Sequence, residues 1–372
     1  MRNVKQIYVL LIMIIFTFLD PQLYCQRNNS KGFIITGYIE GIEDSTKVVI
    51  SDDQQIDIDT AYSKNGNFKL KGYVKYPTLC SIRCKNEYAS IMVENVPITF
   101  DAKLKNMFLN SKIKGGKEQD LNNELNELQL PFANCYYRTK DSLNNIPDLN
   151  STERDRLRKE QYESAKNAMQ ILREFAIKHA NSYLGLEYLY KTRDEIEKAQ
   201  LKPIYEDLDS LMRSTPNAKA LQIYLYNETV EKGKPFIDFE AQTLDGKLFR
   251  LSSLKGNYIF LSFWSAGCGP CRRENKKIKE NYDRLQKQMI IVSFSIDTNK
   301  VIWQHASKVD SIIWCNVSDL EGEIGKVKTL YGVQAIPTSF VIDKEGIIIE
   351  RYDGYSDRIL YHLEALINKN EH

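Results

Sequence analysis

The strongest chemical signal in this 372-residue chain is a pair of cysteines, Cys268 and Cys271, separated by Gly269 and Pro270. The pair follows a nearly unbroken apolar run over residues 258–264, which predicts a buried strand, and precedes a predicted helix. In that context a Cys-x-x-Cys spacing indicates thiol–disulfide chemistry. Cys268 would lie at the helix N-terminus, where unpaired N–H groups and the helix dipole favour a nucleophilic thiolate. Cys271, one turn further in, would be more buried and would attack a mixed disulfide formed on Cys268.

A second signal is Ala335-Ile336-Pro337-Thr338, directly before another predicted strand. A proline at the start of a strand is often found in a cis turn. In a redox domain of this type the turn would stand beside the cysteines, and the backbone of Ile336 could pair with an extended substrate. The residues predicted to contact the substrate are Trp264, Gly269, Pro270, Ile336 and Pro337.

The elements that position these motifs alternate between strand and helix patterns. After the strand at 258–264, apolar residues at helical spacing predict a helix. The remaining predicted elements are a buried strand at 289–296, a strand pair at 338–342 and 347–351, and a closing helix at 356–368. This order predicts an α/β domain with a mixed sheet over residues 233–372.

Two further segments precede this domain. Short β-branched runs and an Asn65-Gly66 turn, a strong hairpin signal, predict a small antiparallel β-sandwich over residues 31–114. Residues 117–231 carry apolar side chains at helical spacing and predict a helical segment. Within it, Asn150 offers a helix cap, Pro203 is predicted to open a helix, and Thr215-Pro216 separates that helix from a last one.

The N-terminus has the layout of an export signal. Arg2 and Lys5 precede an apolar run over residues 7–19, which Asp20-Pro21 ends. We expect residues 1–25 to be a signal peptide cleaved after Cys25, with lipidation of Cys25 or an uncleaved membrane anchor as alternatives. The protein is therefore expected in the periplasm or cell envelope. A buried apolar helix of a cytosolic protein is the competing interpretation.

Composition argues against other classes of function. Lys and Arg number 51 against 49 Asp and Glu, a net charge of +2, which argues against a nucleic-acid partner. A zinc site at the cysteine pair would need two more ligands, and His305, Cys315 and His362 are scattered along the chain. We expect no metal and no cofactor other than a redox-active Cys268–Cys271 disulfide.

Several separated motifs in the C-terminal part resemble the thioredoxin superfamily, namely Asp238-Phe239, Asp245-Gly246-Lys247, residues 251–256 and residues 263–271. Arg272-Arg273-Glu274 narrows the resemblance to the TlpA/ResA-like extracytoplasmic thiol–disulfide oxidoreductases, and residues 336–343 are similar to their cis-proline strand. The resemblance implies a thioredoxin fold. The N-terminal β segment resembles the small domain that often precedes such domains in envelope proteins of Bacteroidota-type bacteria.

The resemblance also implies roles for single residues. Cys268 would be the nucleophile and Cys271 the resolving cysteine. Glu274 matches an acidic residue that this branch places near its active site. A partly buried carboxylate there could accept a proton from Cys271 or raise the pKa of the thiols by like-charge repulsion. The alternative is a solvated helix glutamate among basic neighbours.

The chain departs from the family pattern at three positions. Gly267 stands where these families usually have Trp before the first cysteine, and Lys276 stands where many have a helix-kinking Pro. Ser262 replaces the buried Asp that thioredoxins place in the preceding strand. The proton path is therefore expected to differ from that of thioredoxin.

Together these observations predict an exported thiol–disulfide oxidoreductase that reduces disulfides in other envelope proteins and is recharged by a membrane or periplasmic reductant. A peroxidase is the close enzymatic alternative, since residues 236–256 also resemble redoxin and alkyl-hydroperoxide-reductase sequences. Residues 263–267 lack the Pro and Thr that such sites usually place before the reactive cysteine. The second alternative is a non-enzymatic binding module for an envelope partner, with a redox-regulated cysteine pair.

Overall fold

The computed structural model describes residues 32–52, 56–356 and Leu363. The leader expected over residues 1–25 and nearly all of the helix predicted at 356–368 lie outside the described residues. Over the described part of the chain, no helix combines the length and the apolar character that a membrane crossing requires.

The N-terminal part consists of two β-sheets packed face to face. Its strands are β1 Phe33–Glu40, β2 Lys47–Asp52, β3 Asp57–Tyr62, β4 Asn67–Gly72, β5 Thr78–Cys84, β6 Glu87–Val93, β7 Pro97–Lys103 and β8 Lys112–Lys114. One sheet has the order β4-β1-β7-β8 and the other the order β3-β2-β5-β6. Alternation along β1 directs Phe33, Ile35 and Ile39 into a core that residues from both sheets share.

The predicted sandwich is confirmed, with one difference in strand direction. The sequence pattern predicts antiparallel pairs, whereas β1 and β7 pair in parallel. A parallel pair needs a long crossover connection, and strands β2 to β6 supply it.

The Asn65-Gly66 turn forms with both residues in the left-handed region, at φ 51° and 77°. Backbone hydrogen bonds join Lys64 and Asn67 in both directions across it. Beyond the turn the flanking strands separate, because β3 pairs with β2 and β4 pairs with β1. The turn therefore links the two sheets instead of closing a hairpin within one of them.

The middle of the chain is helical. Its helices, with a short one that precedes them in the β region, are α1 Met107–Asn110, α2 Lys117–Asn145, α3 Ser151–Lys178, α4 Tyr183–Lys191, α5 Lys198–Glu206, α6 Ser210–Arg213 and α7 Pro216–Tyr226. Asn150 caps α3, and Thr215 caps α7, which has Pro216 in its first turn. The prediction for Pro203 is wrong, because α5 begins at Lys198 and contains the proline. Burial of Leu201 and Tyr205 on this short helix offsets the lost backbone hydrogen bond.

The C-terminal part confirms the predicted mixed sheet with helices. Its elements are β9 Glu240–Thr243, β10 Leu248–Arg250, β11 Ile259–Trp264, α8 Gly269–Leu285, β12 Ile290–Ser295, α9 Lys300–Val309, β13 Cys315–Ser318, α10 Lys326–Leu330, β14 Thr338–Ile342 and β15 Ile348–Asp353. The strand order is β10-β9-β13-β12-β11-β14-β15. Strand β11 runs parallel to β12 and antiparallel to β14.

Strand β11 is buried along its whole length. Ile259, Leu261 and Phe263 belong to a core cluster that includes Val327 and Leu330 of α10. Between them, Phe260 joins a second cluster with Ile278 and Leu285 of α8. A strand covered on both faces has a continuous apolar sequence, which explains the run that signalled it. The carboxyl end of this rigid strand leads directly to the cysteine pair.

We predict that Asn150→Ala lowers the free energy of unfolding by about 1 kcal/mol, because the N–H of Glu153 loses the side-chain oxygen that accepts its hydrogen bond at 2.8 Å. Urea unfolding followed by circular dichroism measures the loss. Asn150→Asp keeps an oxygen at this position and is the matched control, expected near the wild type. Equal losses in the two variants would contradict the capping role.

Candidate active site

Cys268 and Cys271 form a disulfide at the start of α8, with 5.3 Å between their Cα atoms. Cys268 is the N-cap residue of this helix, and its Sγ accepts the backbone N–H of Cys271 at 3.1 Å. The side chain of Cys268 is half-buried, whereas Cys271 is 1% exposed. An incoming molecule can therefore approach the sulfur of Cys268 but not that of Cys271.

The proline turn lies opposite the cysteines, although it is more than 60 residues away in the chain. The Ile336–Pro337 peptide bond is cis. The Sγ of Cys268 lies 3.6 Å from the carbonyl oxygen of Ile336. Hydrogen bonds from Gly354 N–H to the Pro337 carbonyl and from the Thr338 hydroxyl to the Ala335 carbonyl, both 2.8 Å, hold the turn.

The other residues predicted to contact substrate occupy two different environments. Gly269 and Pro270 are exposed beside Cys268. Trp264 is only 1% exposed and packs with Cys271, Trp303 and Ala306. A side chain in that position cannot reach a substrate, so the prediction for Trp264 needs correction. Trp264 is the last residue of the fully buried strand β11, and packing under the cysteine pair uses its whole surface.

Glu274 is 1% exposed, which rules out the solvated alternative. Its Oε1 accepts hydrogen bonds from the hydroxyls of Ser262 on β11, at 2.5 Å, and of Ser339 on β14, at 3.4 Å. Its Oε2 has no hydrogen-bond partner among the described residues. Burial raises the pKa of Glu274 to about 7, and the two serine hydroxyls act in the opposite direction. The carboxyl group therefore changes its protonation near neutral pH.

Asp297, which the sequence patterns did not reveal, and Arg272, to which they gave no role, hold the loop before Cys268. The backbone N–H of Ala266 donates to both carboxylate oxygens of Asp297, at 3.0 and 3.1 Å. The carbonyl of Ala266 accepts from Arg272 at 3.2 Å, and the Arg272 guanidinium forms an ion pair with buried Asp310. The loop is thus held from both sides, which compensates for the flexibility that Gly267 introduces. A usable signal for Asp297 is its position just after buried strand β12, at the carboxyl edge of the sheet.

The remaining cysteines lie apart from this site. Cys80 and Cys84 are buried in the core of the β-sandwich. Cys135 is half-buried in α2, and Cys315 is half-buried at the start of β13. Burial raises the pKa of the Cys315 thiol to about 11, so it is a poor nucleophile at neutral pH. Across the described residues, no three His, Cys, Asp or Glu side chains come together as metal ligands would.

A Cys-x-x-Cys disulfide at a helix N-terminus, opposite a cis-proline turn and on a mixed sheet of this order, defines the thioredoxin-like class of thiol–disulfide oxidoreductases. Sequence comparison agrees: residues 232–351 match the AhpC/TSA family. Residues 33–122 match a domain of unknown function, DUF4369.

The chain is also similar to individual thiol–disulfide oxidoreductases. The chain is 34% identical over 128 residues to the thiol-disulfide oxidoreductase ResA of Bacillus thuringiensis subsp. konkukian, a match that covers 34% of this chain and 72% of the relative. ResA of Bacillus subtilis is 26% identical over 141 residues, or 38% of this chain and 77% of the relative. The chain belongs to the ResA family of thiol–disulfide oxidoreductases, which confirms the predicted enzyme class.

One solved structure among those that match is the thioredoxin domain of a thiol-disulfide oxidoreductase from Bacteroides vulgatus. It is 24% identical, covers 37% of this chain and 99% of its own, and has a TM-score of 0.35.

The raised pKa of Glu274 predicts a pH dependence of stability. Between about pH 4.5 and 7 the folded protein keeps a proton on Glu274 that the unfolded chain has released. The free energy of unfolding therefore falls as the pH rises through this window. This fall in the free energy of unfolding is roughly 3 kcal/mol at most, and it should be absent in Glu274→Gln, which has no titrating carboxyl group at this position.

Urea unfolding at several pH values across that window measures the difference between the wild type and Glu274→Gln. Glu280→Gln, which changes an exposed glutamate of the same helix, is the matched control. Parallel pH profiles for the wild type and Glu274→Gln would contradict a titrating, buried Glu274.

Proposed function

We propose that this oxidoreductase reduces disulfide bonds of other proteins through Cys268 and Cys271. The observation that carries the proposal is the asymmetry of the pair: the accessible sulfur of Cys268 accepts a helix N-terminal N–H, and the sulfur of Cys271 is buried behind it. A backbone donor and a helix N-terminus favour the thiolate of the accessible residue. In this proposal the accessible Cys268 attacks the substrate disulfide, and the buried Cys271 resolves the mixed disulfide.

The proposed reaction starts from the dithiol form. The Cys268 thiolate attacks one sulfur of a substrate disulfide, the substrate S–S bond breaks, and its other sulfur leaves as a thiolate. Cys271 then loses its proton and attacks the Sγ of Cys268. This step releases the second substrate thiolate and forms the Cys268–Cys271 disulfide. Two electrons pass to the substrate. One of the two protons on its thiols comes from Cys271, and the other comes from solvent, to which Cys268 released its proton on forming the thiolate.

Glu274 is the proposed proton acceptor for Cys271. The two residues are three positions apart on α8, and both are buried. Ser262 and Ser339 engage Oε1 of the carboxyl group, so Oε2 remains available for a proton. A carboxyl group with a pKa near 7 can take up and release a proton at physiological pH.

The proposed place of action is the periplasm or cell envelope. The basic start and short apolar run within residues 1–25 support export, and an uncleaved run would associate the protein with the membrane. The proposed partners are disulfide-containing envelope proteins and a membrane or periplasmic dithiol that regenerates the reduced pair. The proposed redox group is the Cys268–Cys271 pair itself, without metal or added cofactor.

Single cysteine variants test the two roles. Cys268→Ser is expected to abolish insulin reduction in the presence of dithiothreitol, because the attacking sulfur is gone. Cys271→Ser is expected to accumulate a mixed disulfide with the substrate, visible by mass spectrometry, because nothing resolves it. Cys315→Ser, which changes a cysteine remote from the site, is the control and should keep wild-type turnover. Reduction by Cys268→Ser at the wild-type rate would sink the proposal.

The reduction potential tests the direction of electron flow. Equilibration of the exported portion in glutathione or dithiothreitol buffers, followed by trapping of free thiols, gives the potential of the pair. A value of about −270 mV or lower is expected for a reductant. A value near about −120 mV would instead assign the protein to disulfide formation.

A further inference from the structure

The active-site disulfide opens into a cleft of about 620 Å³. The cysteine loop and the Ile336 turn form one side of this cleft, and residues 296–306 form another. A further wall residue, Ile56, comes from the N-terminal β-sandwich, more than 200 positions earlier in the chain. The domain of unknown function therefore reaches the mouth of the redox site.

Ile56 is held in place by its neighbours. Its N–H donates to a carboxylate oxygen of Asp52 at 2.8 Å. Its carbonyl accepts from the N–H of Asp52 at 3.1 Å. Asp52 is the last residue of β2, an inner strand of its sheet. The position of Ile56 at the cleft is thus set by the sandwich itself.

The helical part of the chain contacts Glu323, another residue that lines the cleft. Glu323 lines the cleft and forms an ion pair at 2.9 Å with Lys328, a side chain that is 3% exposed. The hydroxyl of Tyr190, on α4, donates to the carbonyl of Glu323 at 3.3 Å and shares a hydrogen bond with Thr329 at 2.9 Å. All three parts of the chain therefore shape the space in front of Cys268.

The charges around the cleft discriminate between kinds of disulfide. Among the described lining residues, Arg272 alone carries a permanent positive charge. Its guanidinium is already engaged by Asp310 and by the carbonyl of Ala266. Two carboxyl groups, those of Asp297 and Glu323, line the same space. A small anionic disulfide such as glutathione disulfide finds no permanent cation without an ion pair among these residues. Its carboxylates meet that of Asp297, whereas Glu323 is balanced by Lys328.

The apolar part of the lining suits a polypeptide. Ile56, Ile302 and Ile336 line the same cleft as Cys268, and Gly267 adds no side chain that would fill the space. An extended segment can place apolar side chains against these residues while its cysteine meets Cys268. Burial of a few methylene groups of this kind contributes about 1 kcal/mol or more to binding.

We propose that the β-sandwich is part of the substrate site, in which Ile56 contacts a neutral or basic polypeptide segment that carries the disulfide. This inference rests on the proposed function and adds to it the identity of the substrate class and a role for the N-terminal domain. Ile56 acts in substrate binding, not in the exchange of electrons at the sulfur atoms.

The test compares one protein and one small substrate in the full chain. Ile56→Ala is expected to lower kcat/KM for insulin reduction by about fivefold, mainly through KM, from the lost apolar contact. Reduction of bis(2-hydroxyethyl) disulfide, a neutral small molecule, should stay at the wild-type rate. Ile34→Ala, which shortens an exposed isoleucine on β1 of the same domain, is the matched control and should change neither rate. Equal losses with both substrates, or no loss with either, would overturn the inference.

A second measurement does not depend on the folding of an Ile56 variant. Cys271→Ser is trapped as a mixed disulfide with a cysteine peptide that carries a benzophenone group two residues from its cysteine. Photocrosslinks at or beside Ile56 are expected, and crosslinks confined to residues 233–356 would overturn the inference. Peptides flanked by Lys should be trapped faster than the same peptides flanked by Glu, and the reverse order would contradict the charge argument.

These outcomes separate the inference from the function on which it rests. If the wild type fails to reduce insulin, the proposed function fails. If the wild type reduces insulin and the Ile56 variant behaves identically, the function stands and the role of the β-sandwich is wrong.

Discussion

The chemistry of this protein depends on one local interaction, the backbone N–H of Cys271 pointing at the sulfur of Cys268 at the first turn of α8. Strand β11 is buried along its whole length, and α8 begins shortly after its carboxyl end with Cys268 as the N-cap residue. Asp297 and Arg272 hold the peptide of Ala266 from opposite sides and keep the loop between β11 and α8 in place. Accessibility and this hydrogen bond thus distinguish two chemically identical residues, which is the basis for the attacking and resolving roles proposed for them.

A buried carboxyl group adjacent to a dithiol costs stability unless it is protonated or hydrogen-bonded, and Glu274 is placed so that both conditions matter. Ser262 and Ser339, from two neighbouring strands, each contribute a hydroxyl to the same oxygen. At the position where thioredoxins have a buried acid, this chain has Ser262, whose hydroxyl donates to Glu274. The buried acid of this site is Glu274. The proposed proton acceptor, Glu274, therefore lies on α8 and not on the central strand.

The two parts of the chain that precede the C-terminal domain both contribute to the surroundings of the cysteine pair. The β-sandwich borders the cleft through Ile56, whereas the helical part acts on it through the hydrogen bond from Tyr190 to Glu323. In the proposed substrate site, this lining would select disulfides by shape and charge.

The amino-acid sequence alone was enough to locate the cysteine pair, the proline turn and the alternation of strands and helices, because these features depend on local spacing and on burial of a continuous run. It could not decide the environment of Glu274, since hydroxyls from β11 and β14 create that environment only when the sheet forms. The substrate contact predicted for Trp264 was wrong, because packing with Cys271, Trp303 and Ala306 buries that side chain. The cleft contact of Ile56 likewise arises only from tertiary structure, because no local rule joins residues more than 200 positions apart.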